Sequence, residues 1–154
     1  MPVDIISYAL HTLFAALWAG ATVFITIAVL PAADRDGLGP GGLGTILNRF
    51  AWLTRLSVLA LLATGGHLAG TLYTADTLTS TSTGYLVLAM LGLWFLLAVT
   101  IEVGGVRVRR VLDGGSARAG AAAVRPFYYL ASVFALLLLF TAGLLGANRL
   151  FVVF

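Results

Sequence analysis

The chain has 154 residues, of which 60% are hydrophobic and 10% are charged, and its formal net charge is +3. Soluble globular domains carry about 25% charged residues, so this composition excludes an ordinary water-soluble domain. The absence of cysteine excludes disulfides, thiolate metal sites and cysteine nucleophiles.

Four apolar stretches are each long enough to cross a bilayer, which takes about 20 residues of helix. They cover residues 5–30, 50–73, 84–106 and 126–150. Backbone N–H and C=O groups must be paired inside a membrane, and these stretches are continuously apolar rather than alternating, so we predict helices and not barrel strands. The sequence therefore predicts an all-α integral membrane protein, a four-helix bundle in a single transmembrane domain over residues 1–154.

Polar or glycine-rich connections separate these spans. We predict loops over residues 34–48, 74–83 and 113–124, where Gly, Ser, Thr and Asp are concentrated. The last span is expected to begin near Pro126, because proline is favoured at the first position of a helix. No basic segment precedes the first span and no cleavage site follows it, so we expect this span to be retained and not removed as a signal peptide.

The placement of arginine predicts the orientation, because cytoplasmic loops are enriched in basic residues. The connector between the second and third spans has no arginine, the N-terminal tail has none, and the C-terminal end has Arg149. The connections after the first and third spans carry Arg35, Arg49, Arg107, Arg109, Arg110, Arg118 and Arg125. We therefore predict an antiparallel up-and-down topology, both termini extracytoplasmic, in the cell membrane. The arginines are expected to contact lipid headgroups, and no nucleic-acid partner is predicted.

Both histidines, His11 and His67, lie within predicted spans, where ionisable residues are costly and indicate function. Each lies roughly 10 Å below the extracytoplasmic boundary at 1.5 Å per residue. Met90, the only methionine besides the initiator, lies at the same predicted depth. Imidazole and thioether ligands together suit Cu(I), and two imidazoles can also ligate haem b. Alternatively, each histidine only hydrogen-bonds a neighbouring helix.

Four further residues are candidates for supporting roles. Trp18 lies on the helical face of His11 and Thr64 on that of His67, so both are expected next to a metal site. Glu102 lies near the cytoplasmic end of the third span and is expected to form an ion pair, with Arg55 or Arg109 in reach, or to relay protons or cations. No nucleotide-binding loop or catalytic motif is present, which favours a role other than catalysis.

Several segments of the chain resemble one membrane family. In the first span they are the run from His11 through Trp18 to Gly20, with Phe24 and Leu30-Pro31 after it. In the second span they are Arg55 and the segment Ala63-Thr64-Gly65-Gly66. The third span contributes Thr83-Gly84-Tyr85 at its start and an arginine-rich end. Together they resemble the copper resistance protein D (CopD) family from about residue 11 to residue 110. The composition is similar to that of short archaeal members, whereas larger members have eight spans.

This resemblance implies a copper-handling membrane protein that moves copper across or within the membrane. His11 and His67 stand where the helix histidines of that family are expected. Three hypotheses follow. The first is copper transport or homeostasis with His11, His67 and Met90 as ligands, in a homodimer if four helices leave too little room for a pathway. The second is a haem b protein in electron transfer or an oxidoreductase subunit, and the third is a structural protein without a cofactor.

Overall fold

The structure is a computed structural model that describes residues 2–35, 37–113 and 115–151, with side chains through residue 147. The described residues form helices and no strand: α1 (Pro2–Phe24), a π-helical segment (Ile25–Val29), α2 (Leu30–Asp34), α3 (Pro40–Leu72), α4 (Ala75–Ser80), α5 (Ser82–Leu112) and α6 (Ala117–Phe151). Within these ranges, four continuous helical stretches are long and apolar enough to span a membrane. The all-helical, membrane-spanning prediction is therefore confirmed. The side chain of Arg149 lies outside the described residues.

The predicted loop over residues 34–48 is wrong over most of its length, because α3 already begins at Pro40. Proline at the first helical position has its φ angle preset for a helix, which compensates for the low helix propensity of the glycines that follow it. The early turns of α3 also bury Leu43 and Leu47, which are 0% and 5% exposed. Burial of this apolar face stabilises a helix that the local composition disfavours.

The predicted start of the last span at Pro126 is also wrong, since α6 begins at Ala117 and Pro126 lies inside it. The alanine-rich segment before the proline has high helix propensity. Ala117, Ala121 and Val124 are buried against the other helices, with exposures of 4%, 0% and 0%. This packing outweighs the backbone hydrogen bond that Pro126 cannot donate.

The connector over residues 74–83 is not a loop throughout, because it contains the short helix α4. Thr74 caps this helix, and the capping is reciprocal: the Thr74 hydroxyl accepts from the Thr77 backbone N–H, and the Thr77 hydroxyl accepts from the Thr74 backbone N–H. Such a capping box satisfies two backbone donors that would otherwise have no partner at the helix start. The threonine-rich composition thus encodes a capped turn of helix between α3 and α5.

The first membrane-crossing stretch contains a π-helical turn that the sequence pattern does not reveal. The backbone N–H of Leu30 donates to the carbonyl of Ile25, and helical structure then continues past Pro31 to Asp34. Side chains anchor this turn to α6, because the hydroxyl of Thr26 lies 2.7 Å from the hydroxyl of Ser132 and 3.1 Å from the carbonyl of Tyr128. Single π turns within α-helices are frequent at functional sites.

The core lies between α6, α1, α2, α3 and α5, and α6 has the most extensive packing, against α5. On α6 the buried positions recur every three or four residues, and most of them are small: Ala117, Ala121, Val124, Tyr128, Ala131 and Ala135. Small residues let helix backbones approach closely, which is the main source of helix association in membranes. The large outward-facing hydrophobic residues form the surface available to lipid.

Candidate metal site

His11 lies half-buried on α1 and contacts Thr64 of α3, with 2.9 Å between its Nδ1 atom and the Thr64 hydroxyl. The same hydroxyl donates its single hydrogen to the backbone carbonyl of Ala60 at 2.6 Å. Thr64 must therefore accept from His11, so the proton of the neutral ring is on Nδ1. The Nε2 atom then has a free lone pair, which is the form that binds metals.

The ring of His11 also packs against the backbone of α3 at Gly65. A Cβ atom placed on Gly65 would lie 2.9 Å from Cε1 of His11, which is closer than real Cβ atoms come. Glycine at this position therefore leaves the space in which the imidazole lies. The neighbouring Gly66 has nothing within 4 Å of such an added Cβ atom.

His67 contacts a different partner, the carboxylate of Asp4 in the first turn of α1. Its Nε2 atom lies 3.0 Å from Oδ1 of Asp4, and both side chains are half-buried. Carboxylates commonly hydrogen-bond the ring nitrogen of a histidine whose other nitrogen binds a metal. This contact joins the beginning of α1 to the end of α3, and we refer to this end of the interface as the Asp4 end.

The contacts between α1 and α3 show that these two helices run in opposite directions. Asp4 pairs with His67, His11 with Thr64, and Trp18 with Thr54. His11 lies seven residues from Asp4 along α1, and its partner Thr64 lies three residues from His67 along α3, so the two imidazoles contact the interface at different levels. The two imidazoles share one interface, but each has its own partner.

The remaining candidate residues lie at different places along the helices. The indole N–H of Trp18 donates to Thr54 at 3.1 Å, and both residues are 1% exposed. Thr64 contacts His11 directly, as described. Met90 is half-buried on α5, and among the hydrogen bonds of the described residues none joins it to a histidine.

Arg55 and Glu102 form an ion pair between α3 and α5. The Nε and Oε1 atoms are 3.2 Å apart, and the side chains are 46% and 40% exposed. The guanidinium of Arg55 also lies 5.7 Å from the ring centroid of Trp52, a cation–π distance. This pair is separate from the histidine contacts, and its outward position is typical of a packing contact.

Sequence reasoning missed Asp4 as a candidate, although a signal was present. Asp4, His11 and Trp18 are spaced by seven residues, which places them on one face of α1. Within the parts of the chain that the structure describes, no three His, Cys, Asp or Glu side chains cluster as a metal site. Asp4, His67 and His11 therefore do not form such a cluster, and the candidate residues are two imidazoles, each with its own partner.

The profile of the copper resistance protein D (CopD) family matches residues 44–145, about two thirds of the chain. The chain belongs to this family. The match includes most of α3, all of α4 and α5, and most of α6. It therefore contains His67, Met90, Arg55 and Glu102, whereas His11 lies before it. Searches of the curated proteins and of the solved structures gave no match.

Membership in CopD, together with the four membrane-spanning stretches, makes this protein a multi-pass membrane protein of a copper resistance family. The resemblance seen in the sequence is confirmed by the profile match. The matched region does not by itself assign a metal ligand.

Proposed function

We propose that this CopD protein binds Cu(I) within the membrane through His11 and His67, and serves in copper transport or homeostasis. Met90 is proposed as the third ligand, with Thr64 and Trp18 in supporting positions. The termini and the site lie toward the extracytoplasmic side, and copper is taken from that face. A single transmembrane domain of four antiparallel helices, alone or as a homodimer, carries this activity.

The observation that carries the proposal is the contact between Nδ1 of His11 and the Thr64 hydroxyl, which leaves Nε2 as the nitrogen of a neutral ring that can bind a metal. Each imidazole has one nitrogen bonded to a neighbour and one available, as in most metal-ligating histidines. Neutral imidazole and thioether ligands also match the preference of Cu(I) for soft or borderline donors.

The register of α3 against α5 supports Met90 as a third ligand. Gly44 of α3 faces Leu112 of α5, and further along Arg55 pairs with Glu102, so these helices run in opposite directions. His67 lies twelve residues after Arg55, and Met90 lies twelve residues before Glu102. Extended in the same register, the two helices would have His67 and Met90 at a similar depth, which is the support for this ligand.

The test is copper binding by the purified protein in detergent, measured by competition with a Cu(I) chelator. We expect a stoichiometric amount of copper in a protein that shows no haem absorption. His11→Ala and His67→Ala should lower the affinity by more than roughly 100-fold, the upper range for loss of a residue that only supports a ligand. Met90→Leu should give a smaller loss.

Thr12→Ala is the matched control, because Thr12 is next to His11 and, among the described residues, its hydroxyl bonds the carbonyl of Tyr8 in its own helix. This variant should bind copper as the wild type does. A Soret band in the purified protein that is lost in both histidine variants would show that the histidines bind haem b and not copper. Absence of copper and haem alike would leave a structural role for the histidines.

A further inference from the structure

We propose that Asp4 is a positioning residue for copper: it holds the His67 ring so that Nδ1, and not Nε2, faces the metal. This inference rests on the proposed function, because it concerns how one proposed ligand is oriented. It adds a residue that lies before the part of the chain matched by the family profile.

The contact with Asp4 determines which nitrogen of His67 carries the proton. Nε2 of His67 lies 3.0 Å from Oδ1 of Asp4, and an ionised carboxylate can only accept hydrogen bonds, so this nitrogen carries the proton. The Nδ1 atom of a neutral His67 is then the unprotonated one. His11 has the opposite arrangement, with its proton on Nδ1 toward Thr64 and a free Nε2.

The two rings would therefore bind one Cu(I) through different nitrogens, Nε2 from His11 and Nδ1 from His67. Hydrogen bonding to a carboxylate fixes the ring and increases the basicity of the opposite nitrogen, which strengthens the metal bond. Thr64 fixes the His11 ring in the same way, but its hydroxyl has no charge.

The position of Asp4 on α1 keeps it at the contact with His67. The spacing of seven residues from Asp4 to His11 keeps the carboxylate on the face of α1 that contacts α3.

The experiment has two readouts on the full-length protein in detergent micelles. The first is Cu(I) affinity for Asp4→Ala, with Asp4→Asn as the variant that keeps a hydrogen-bond acceptor but removes the charge. We expect Asp4→Ala to lower the affinity 10- to 100-fold and Asp4→Asn to lower it less. Asp76→Ala is the matched control, because it removes an exposed acidic residue from α4 next to the end of α3, and its affinity should equal that of the wild type.

The second readout is the tautomer of His67, followed by ¹⁵N NMR of histidine-labelled protein without and with Cu(I). In the metal-free wild type we expect the proton on Nε2, and on loading the Nδ1 resonance should shift. In Asp4→Ala the metal-free His67 ring should lose this single tautomer while His11 keeps its proton on Nδ1 toward Thr64, whereas a variant that fails to fold would lose both.

The outcomes distinguish the role of Asp4 from the proposed copper-binding function. If the histidine variants lose copper while Asp4→Ala binds like the wild type, or if the Nε2 resonance of His67 shifts on loading, the role of Asp4 is overturned and the proposed function stands. If the wild type binds no Cu(I), both are overturned.

Discussion

The Asp4 end of the α1–α3 interface and the region around the π-helical segment both contain polar side chains, but they use them differently. At the Asp4 end, His11 and His67 are half-buried, and among the hydrogen bonds of the described residues none involves Nε2 of the first or Nδ1 of the second. Around the π segment, Thr22 and Thr26 are 0% and 2% exposed, and both hydroxyls are hydrogen-bonded.

This difference separates a place that can bind a ligand from a place that holds helices together. A buried hydroxyl in hydrocarbon needs a partner, and around Thr26 the partners come from the protein itself. An imidazole has two nitrogens, and one contact with a neighbour leaves the other for a metal. The contrast leads to one substitution in each region, and an ion pair outside both regions serves for comparison.

The largest effect is expected at Gly65, where Ala would push the ring of His11 away from Thr64. The added methyl would meet Cε1 at 2.9 Å, and the side chain can move although the α3 backbone cannot. We expect Gly65→Ala to lower Cu(I) affinity about tenfold, or about 1.4 kcal/mol, without lowering the free energy of unfolding. Chelator competition and denaturation in mixed micelles would measure the two quantities.

Gly66→Ala is the control for this prediction, since nothing lies within 4 Å of its added methyl. Both variants gain the same helix propensity of about 1 kcal/mol, so their difference isolates the contact with His11. Equal copper affinities in the two variants would contradict the assignment of His11 as a ligand in this position.

An intermediate effect, on stability alone, is expected for Thr26→Val in the π segment. The substitution keeps the shape of the side chain but removes the hydroxyl that contacts Ser132 and the Tyr128 carbonyl. We expect a loss of about 1 kcal/mol in the free energy of unfolding, within the range measured for hydrogen bonds between membrane helices. Copper affinity should not change.

Thr100→Val is the matched control, because the hydroxyl of Thr100 bonds only the carbonyl of Leu96 in its own helix. Unfolding in mixed micelles, followed by tryptophan fluorescence, would compare the two variants. A loss of copper affinity in Thr26→Val would mean that the π segment and the histidines act together, against the separation drawn above.

The smallest effect is expected for the ion pair between Arg55 and Glu102, which belongs to neither region. With side chains 46% and 40% exposed, the pair should be worth less than about 1 kcal/mol. A double-mutant cycle with Arg55→Gln and Glu102→Gln would measure the coupling energy. A coupling of several kcal/mol would instead place the pair in hydrocarbon, away from the headgroups, and would favour the relay role for Glu102.

Much of the helical architecture could be predicted from the sequence, whereas helix ends could not. The glycines after Asp34 and the proline at 126 are local signals for a loop and for a helix start. Both signals are overridden, because Leu43 and Ala121 become fully buried once the helices pack together. The stabilisation that burial provides depends on neighbours that are distant in the chain, so local sequence patterns do not reveal it.

The candidate residues could be proposed from the sequence, but their pairings could not be predicted. His11 and His67 are conspicuous because ionisable residues are rare in apolar spans. Their equal predicted depth indicated a shared layer, but the structure pairs His67 with Asp4 and His11 with Thr64. Asp4 remained inconspicuous because an acidic residue in the first turn of a helix is an ordinary feature.

The sequence by itself determined that this protein crosses the membrane as helices, since apolar spans of this length must pair their backbone groups within each helix. It also determined which few side chains in those spans could bind a metal. Only the tertiary structure decided which nitrogen of each imidazole is left free. That choice depends on the rotation and register of α1 against α3, which follow from the packing of residues such as Gly65 and Trp18 and not from any local pattern.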